Sequence, residues 1–261
     1  MYKRQTYNYT ALGLNLGQGG VIGLSMTTLS TPEDLVRTVE KPNGTGEYFD
    51  ANDLALNLSY ARRLTNKFSL GANIKYISQS IWQSSANTIA ADLGALFITP
   101  FNNIRLGASL SNYGADMQMS GRNQKFSVDP DPNNQGNVEF VNAMYETDKF
   151  PLPLTFRLGI ENMVMGPDSP FLKNEKHTLL VSVDGVKPND YTVYGSMGLE
   201  YGWQNLAFVR MGTHLNHDTA GLSLGAGANI RLGRMALTVD YAFVDYDILK
   251  YTNQIAIGLK F

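Results

Sequence analysis

Few residues of this 261-residue chain are spaced to bind a ligand or to react, and most candidates fail on their neighbours. Asp129, Asp131 and Asn133 alternate like the oxygen donors of a calcium loop, where odd positions aim carboxylate and carbonyl oxygens at a hard cation. Pro130 and Pro132 interrupt them, and Asn134 stands where such a loop needs its turn glycine, so a rigid solvated loop is the better reading. His214 and His217 lie near a strand end with two residues between them. An extended chain sends them to opposite faces, and no third metal ligand accompanies them. Gly225 and Gly227 lack the third glycine and following helix of a dinucleotide loop. There is no Gly-x-Ser-x-Gly elbow and no Walker loop, and no Ser, His and acid cluster can be assembled at one place. Cysteine is absent, which excludes disulfides, Cys-ligated zinc and thiol chemistry. No cofactor, no metal and no catalytic residue is expected.

The larger chemical set is ten charged residues in mid-strand: Lys75, Asp92, Arg105, Arg157, Glu161, Asp184, Glu200, Arg210, Arg231 and Asp240. Five are basic and five acidic. They could form a structural network of ion pairs around a narrow interior or line a conducting pore; the balance of signs favours the network, because selective pores more often carry rings of one sign. The net charge of -2 offers no electrostatic handle for nucleic acid, whose binding rests on Lys and Arg against phosphates.

What must position these charges is a series of strands. Leu54, Leu56, Leu58 and Tyr60 alternate with Ala55, Asn57, Ser59 and Ala61; Phe68, Leu70, Ala72, Ile74 and Tyr76 alternate with Ser69, Gly71, Asn73 and Lys75. The same period of two recurs in Leu154 to Glu161, Leu222 to Ile230 and Met235 to Phe243. Successive strand side chains point to opposite faces, so each segment has one apolar face and one small or polar face. The alternation predicts thirteen strands, near 6–16, 20–29, 53–63, 67–80, 87–98, 102–113, 152–162, 176–187, 192–203, 206–214, 220–231, 235–245 and 252–261. A soluble sandwich is the competing all-β architecture. Its strands are shorter, its interior could not hold ten charges, and the small Gly, Ala and Ser of the polar face are not what a solvent face selects. No run approaches 18 apolar residues, so a transmembrane helix is excluded and any crossing of a bilayer is by strands.

The fold expected is therefore an all-β, transmembrane, antiparallel up-and-down β-barrel: one domain over 1–261, with the apolar face toward lipid and the polar face around a lumen. Short turns at 17–19, 64–67, 99–102 and 231–234 fall at one end, and the long connections 30–52 and 114–151 fall at the other, as periplasmic turns and external loops should. The connection 163–175 is long for the turn end. Tyr60, Tyr76, Trp82, Phe97, Phe101, Tyr113, Tyr201, Trp203, Tyr246 and Tyr251 lie toward strand ends, where aromatic girdles meet the interface. Thirteen is odd while single-chain bacterial barrels are even, so at least one strand is expected upstream of Met1, together with the signal peptide that the N-terminus lacks.

Two sets of residues carry resemblances. Ile255, Ile257, Leu259 and the terminal Phe261 resemble the C-terminal strand signal of outer-membrane proteins, which implies recognition by the barrel assembly machinery. FDANDLALNLSYARRLTNKFSLGANIKYI from Phe49 to Ile77, AADLGALF from Ala90, LGASLSNYG from Leu106 and HTLLVSVDGVKPNDYTVYGSMGLEYGW from His177 to Trp203 resemble the PorV/PorQ family of Bacteroidetes-type outer-membrane proteins, related to FadL-like barrels. GLSLGAGANI and the TVDYAF segment around Asp240 extend the resemblance, which runs from about residue 20 to the C-terminus. It implies a fourteen-stranded FadL-like barrel in the outer membrane, acting in type IX secretion as a cargo shuttle or surface-attachment component with secreted proteins as partners. The alternative is FadL-like transport of hydrophobic small molecules such as fatty acids or hydrocarbons. The family's upstream Asn-Pro-Ala-type segment has no match here.

Overall fold

The computed structural model describes residues 5–130, 141–219, 221–247 and 250–261. Asp131 and Asn133 of the calcium-like spacing lie outside the described residues. Thirteen long strands carry the fold: β1 (Thr6–Asn15), β2 (Val21–Ser30), β3 (Ala51–Arg63), β4 (Phe68–Ile81), β5 (Ser84–Ile98), β6 (Arg105–Gly114), β7 (Thr155–Gly166), β8 (His177–Pro188), β9 (Tyr194–Trp203), β10 (Ala207–Leu215), β11 (Leu222–Leu232), β12 (Met235–Asp245) and β13 (Tyr251–Lys260). They form one large antiparallel sheet in which neighbours in space are neighbours in sequence, and no α-helix interrupts them among the described residues. The ladder runs from β1 to β13, and these two ends are not paired with each other among the described residues.

The strands are 9 to 15 residues long, well beyond the five or six usual in soluble sheets and matched to the nine to eleven that a tilted bilayer-spanning strand needs. Their tight connections follow turn chemistry. Asn102 and Asn103 both take positive φ (50° and 52°), as do Gln204 and Asn205 (51° and 54°), and each pair is the centre of a tight turn, closed by the Ile104 N–H on the Phe101 carbonyl and by the Leu206 N–H on the Trp203 carbonyl. The strand at 152–162 starts later and runs further than its alternation suggests. Pro151 and Pro153 have no N–H to give a ladder, and a bulge between Met163 and Met165 carries β7 on to Gly166. The connection that follows is compact: Ser169 is buried, its hydroxyl donates to the Val164 carbonyl at 2.8 Å, and Leu172–Lys173 pairs with the end of β7.

The burial pattern is inverted relative to a globular protein. Leu12, Leu24, Ile74, Ile89, Leu158, Val209 and Ile257 are exposed, Leu12 at 74% and Ile257 at 71%, and they all lie on the face opposite the charges. Among the described residues the buried hydrophobic side chains are few: Ala86, Ala90, Met117, Leu152 and Val186. The chain divides into two compact units, Met1–Arg62, Gly71–Leu93 and Asn112–Leu152 in the first and Arg63–Leu70, Gly94–Ser111 and Pro153–Phe261 in the second.

Candidate functional site: the polar face of the sheet

In the first unit the polar face carries cross-strand hydrogen bonds on successive strands. Asn57 on β3 donates to Ser25 on β2 at 3.0 Å, and Ser59 on β3 donates to Asn73 on β4. Asn73 in turn donates to Asp92 on β5 at 3.1 Å. Lys75 on β4 forms an ion pair with Asp92 at 2.7 Å, and the two side chains are only 16% and 18% exposed. The same ammonium donates to the Asn112 side-chain oxygen at 2.7 Å, while the Asn112 backbone N–H donates to the other Asp92 oxygen at 2.8 Å. Asn112 has φ 64°, a left-handed conformation that asparagine tolerates better than most residues. It turns the end of β6 so that the following residues fold back over the sheet.

Those residues cover β4 and β5. Met117 packs with Ala86, Ala90 and Leu152, and Ile77, Met119 and Phe150 flank the cluster. Thr88 donates to the Ala115 carbonyl at 3.0 Å, Ser120–Gly121 pairs with Ser84–Ser85, and the Arg122 N–H donates to the Gln83 carbonyl at 3.2 Å. Gly114 is needed at the crossing: a Cβ there would lie 2.5 Å from the Ile89 carbonyl oxygen and 2.9 Å from Leu152.

In the second unit the charges pair between strands with less cover. Arg105 and Glu161 are directly opposite on β6 and β7 and meet at 2.7 Å, with side chains 47% and 36% exposed. Arg210 on β10 bonds Glu200 on β9 at 2.7 Å and reaches Asp240 on β12 at 2.5 Å. The second bridge crosses the intervening strand β11 because Gly225 and Gly227 stand beneath it. A Cβ on Gly225 would approach Arg210 Cβ to 3.3 Å, and one on Gly227 would collide with the Asp240 carboxylate and press on the Arg210 guanidinium. The glycine pair that makes no nucleotide loop is thus a slot for a side chain. Gly159 opposite Asp184, Gly212 opposite Ser223 and Gly258 opposite Thr238 repeat the arrangement, each glycine leaving room for the polar side chain across the ladder. Of the ten mid-strand charges, seven are ion-paired; Arg157, Asp184 and Arg231 share the polar face without an ion pair among the described residues.

At the loop end of the second unit His214 and His217 come together, with ring centroids 5.6 Å apart. The opposite-face expectation fails because Asn216 takes φ 59° and ends the extended conformation between them. Tyr194 meets His217 edge-on at 5.0 Å, and Tyr191 accepts the Asp218 N–H at 3.0 Å. The hydrogen bond from the Tyr191 hydroxyl to the Asp218 carboxylate raises the pKa of that phenol. Ser196 and His214, opposite in register on β9 and β10, are 2.9 Å apart, a hydroxyl–imidazole contact that sequence spacing alone did not reveal. Among the described residues no carboxylate is bonded to this imidazole, and the third member of a catalytic triad is not assembled there. No group of three or more His, Asp or Glu could hold a metal among the described residues.

On the apolar face, two tyrosine hydroxyls find partners on neighbouring segments. Tyr60 donates to the Gly19 carbonyl at 2.7 Å and Tyr241 to Asn253 at 2.7 Å. Ile255, Ile257 and Leu259 lie in one row on β13, with Phe261 just past its end, all strongly exposed.

No protein-family model matches the chain, and no curated protein does. Among solved structures, the fold is similar to the CymD monoaromatic hydrocarbon channel, at 13% identity and a TM-score of 0.43, over 98% of this chain and 85% of that one.

Proposed function

We propose that this chain is the wall of an outer-membrane β-barrel, its apolar face against lipid and its polar face toward an aqueous lumen. The carrying observation is the inverted burial: strand after strand exposes Leu, Ile, Val and Met on one face, far more contiguous apolar surface than a monomer in water tolerates, while the charges take the other face. The length of the strands and the placing of both long connections at one end support the same reading. With no native cysteine, single-cysteine labelling tests it directly. In liposomes a membrane-impermeant thiol reagent should modify Asn57→Cys and spare Leu58→Cys. The opposite order would overturn the barrel.

The finer reading is that the barrel serves type IX secretion as a cargo shuttle or surface-attachment component, with secreted proteins as partners and no catalytic step of its own. Its supports are the PorV/PorQ resemblance between Phe49 and Trp203 and a polar face on which seven of the ten mid-strand charges are paired with one another. Affinity capture from native outer membranes with the full-length protein should recover secreted proteins that share a C-terminal domain. Recovery of none, with hydrocarbon or fatty-acid uptake lost on deletion, would replace this reading with transport.

A further inference from the structure

The covering of β4 and β5 is held by a small number of identifiable contacts, and they are of two kinds. One is apolar: Met117 and Leu152 occupy a patch formed by Ile77, Ala86 and Ala90, an apolar island beside the Lys75 and Asp92 network. The other is the Asp92 carboxylate, which bonds the wall through Lys75 and Asn73 and bonds the covering segment through the Asn112 N–H. Asp92, from the neighbouring strand β5, bonds two β4 side chains and the backbone of the residue where the segment turns back, while Lys75 bonds that residue only through its side chain. Removing Asp92 takes the ion-pair partner from the Lys75 ammonium, which keeps its bond to the Asn112 side chain, and takes away the carboxylate that accepts the Asn112 N–H.

We infer that residues 114–124, with Phe150 and Leu152, form a strap latched by Asp92 over an apolar patch of the polar face, and that releasing the latch uncovers the patch. The strap is this chain's own occupant of a surface that would otherwise receive an apolar guest. Its attachment is local, since it is built on β4, β5 and the end of β6 within the first unit. Gly114 makes the closed position sterically tight, because no other residue fits between Leu152 and the Ile89 carbonyl without a shift.

The test uses Ala90→Cys as reporter, because Ala90 is only 2% exposed under the strap. In otherwise unaltered protein folded into liposomes, this thiol should react with an impermeant maleimide at least about tenfold more slowly than the thiol of Asn57→Cys. Adding Asp92→Ala should raise the Ala90→Cys rate about tenfold and leave the Asn57→Cys rate unchanged. Asn112→Gly keeps the left-handed backbone but loses the acceptor for Lys75, so it should give an intermediate rate; Gly114→Val should act sterically and match Asp92→Ala. Equal rates at Ala90→Cys and Asn57→Cys in the unaltered background would overturn the strap. Rates at Ala90→Cys that ignore Asp92→Ala, Asn112→Gly and Gly114→Val alike would overturn the latch. Because Leu58→Cys and Asn57→Cys decide the membrane reading separately, failure of the strap and failure of the barrel give different labelling patterns.

Discussion

Two regions of the polar face solve one problem differently. Around β4 and β5, Lys75 and Asp92 are roughly four-fifths withdrawn from solvent and hydrogen-bonded on several sides where the strap begins. Around β10 to β12, Arg210 spans Glu200 and Asp240 in the open, with side chains 40%, 27% and 40% exposed and glycines beneath instead of a roof. Covering a charge pair raises the stakes of each partner: an ion left alone in a low-dielectric pocket carries a desolvation cost that water no longer relieves. An open pair gains little and loses little. The first region should therefore behave as a structural joint and the second as a wall lining that tolerates change.

The sharpest way to break this contrast is Lys75→Met, which leaves the mostly buried Asp92 carboxylate without its cation and with only neutral donors from Asn73 and Asn112. It should cost about 3 kcal/mol of folded stability in urea titrations of the detergent-folded protein. An effect below about 1 kcal/mol would mean that the strap is open in solution. Met117→Ala comes next. Met117 is 1% exposed and fills the apolar island, so losing its side chain should cost about 2 to 3 kcal/mol and speed proteolysis within the strap.

These two residues also mark what the sequence concealed. The long strands were legible because a period of two repeats through segments such as Leu54 to Ala61 and Phe68 to Tyr76, and side-chain alternation is a local property of extended chain. The apolar island was not legible: Ile77, Ala86 and Ala90 sit on two paired strands, whereas Met117 and Leu152 come from the long connection after β6 and reach them only through long-range packing. Gly225 and Gly227 likewise read as two missing side chains until the register of β10, β11 and β12 places them under the Arg210 bridge. Ser196 and His214 stand 18 residues apart and become neighbours only through the pairing of β9 with β10. Alternation gives the face a residue occupies; register, which long-range pairing sets, gives its partner.

Gly227→Val sharpens the open side of the comparison. The new side chain would displace the Asp240 carboxylate and separate it from Arg210, yet all three groups have water nearby, so the cost should be about 1 to 2 kcal/mol, mostly from crowding. Gly227→Ala should fall below that value, and a Gly225→Ala variant, whose Cβ meets Arg210 at 3.3 Å, should be the mildest of the three.

The smallest effect belongs to Arg105→Gln. Arg105 and Glu161 sit face to face at 2.7 Å, a geometry as close as that of Lys75 and Asp92, so distance alone would rank the two pairs equally. Exposure separates them. At 47% and 36% exposed, both partners keep much of their hydration when the bond is lost, and the freed carboxylate returns to water instead of remaining stranded. The variant should lose less than about 1 kcal/mol in the unaltered protein at low salt, and that small loss should vanish at high salt as screening removes the attraction from the unaltered protein too. Lys75→Met should keep most of its penalty at the same salt, because its pair is shielded by the strap rather than by ions. If the two variants respond to salt alike, the strap does not exclude water from Asp92, and cover is not what distinguishes the two regions.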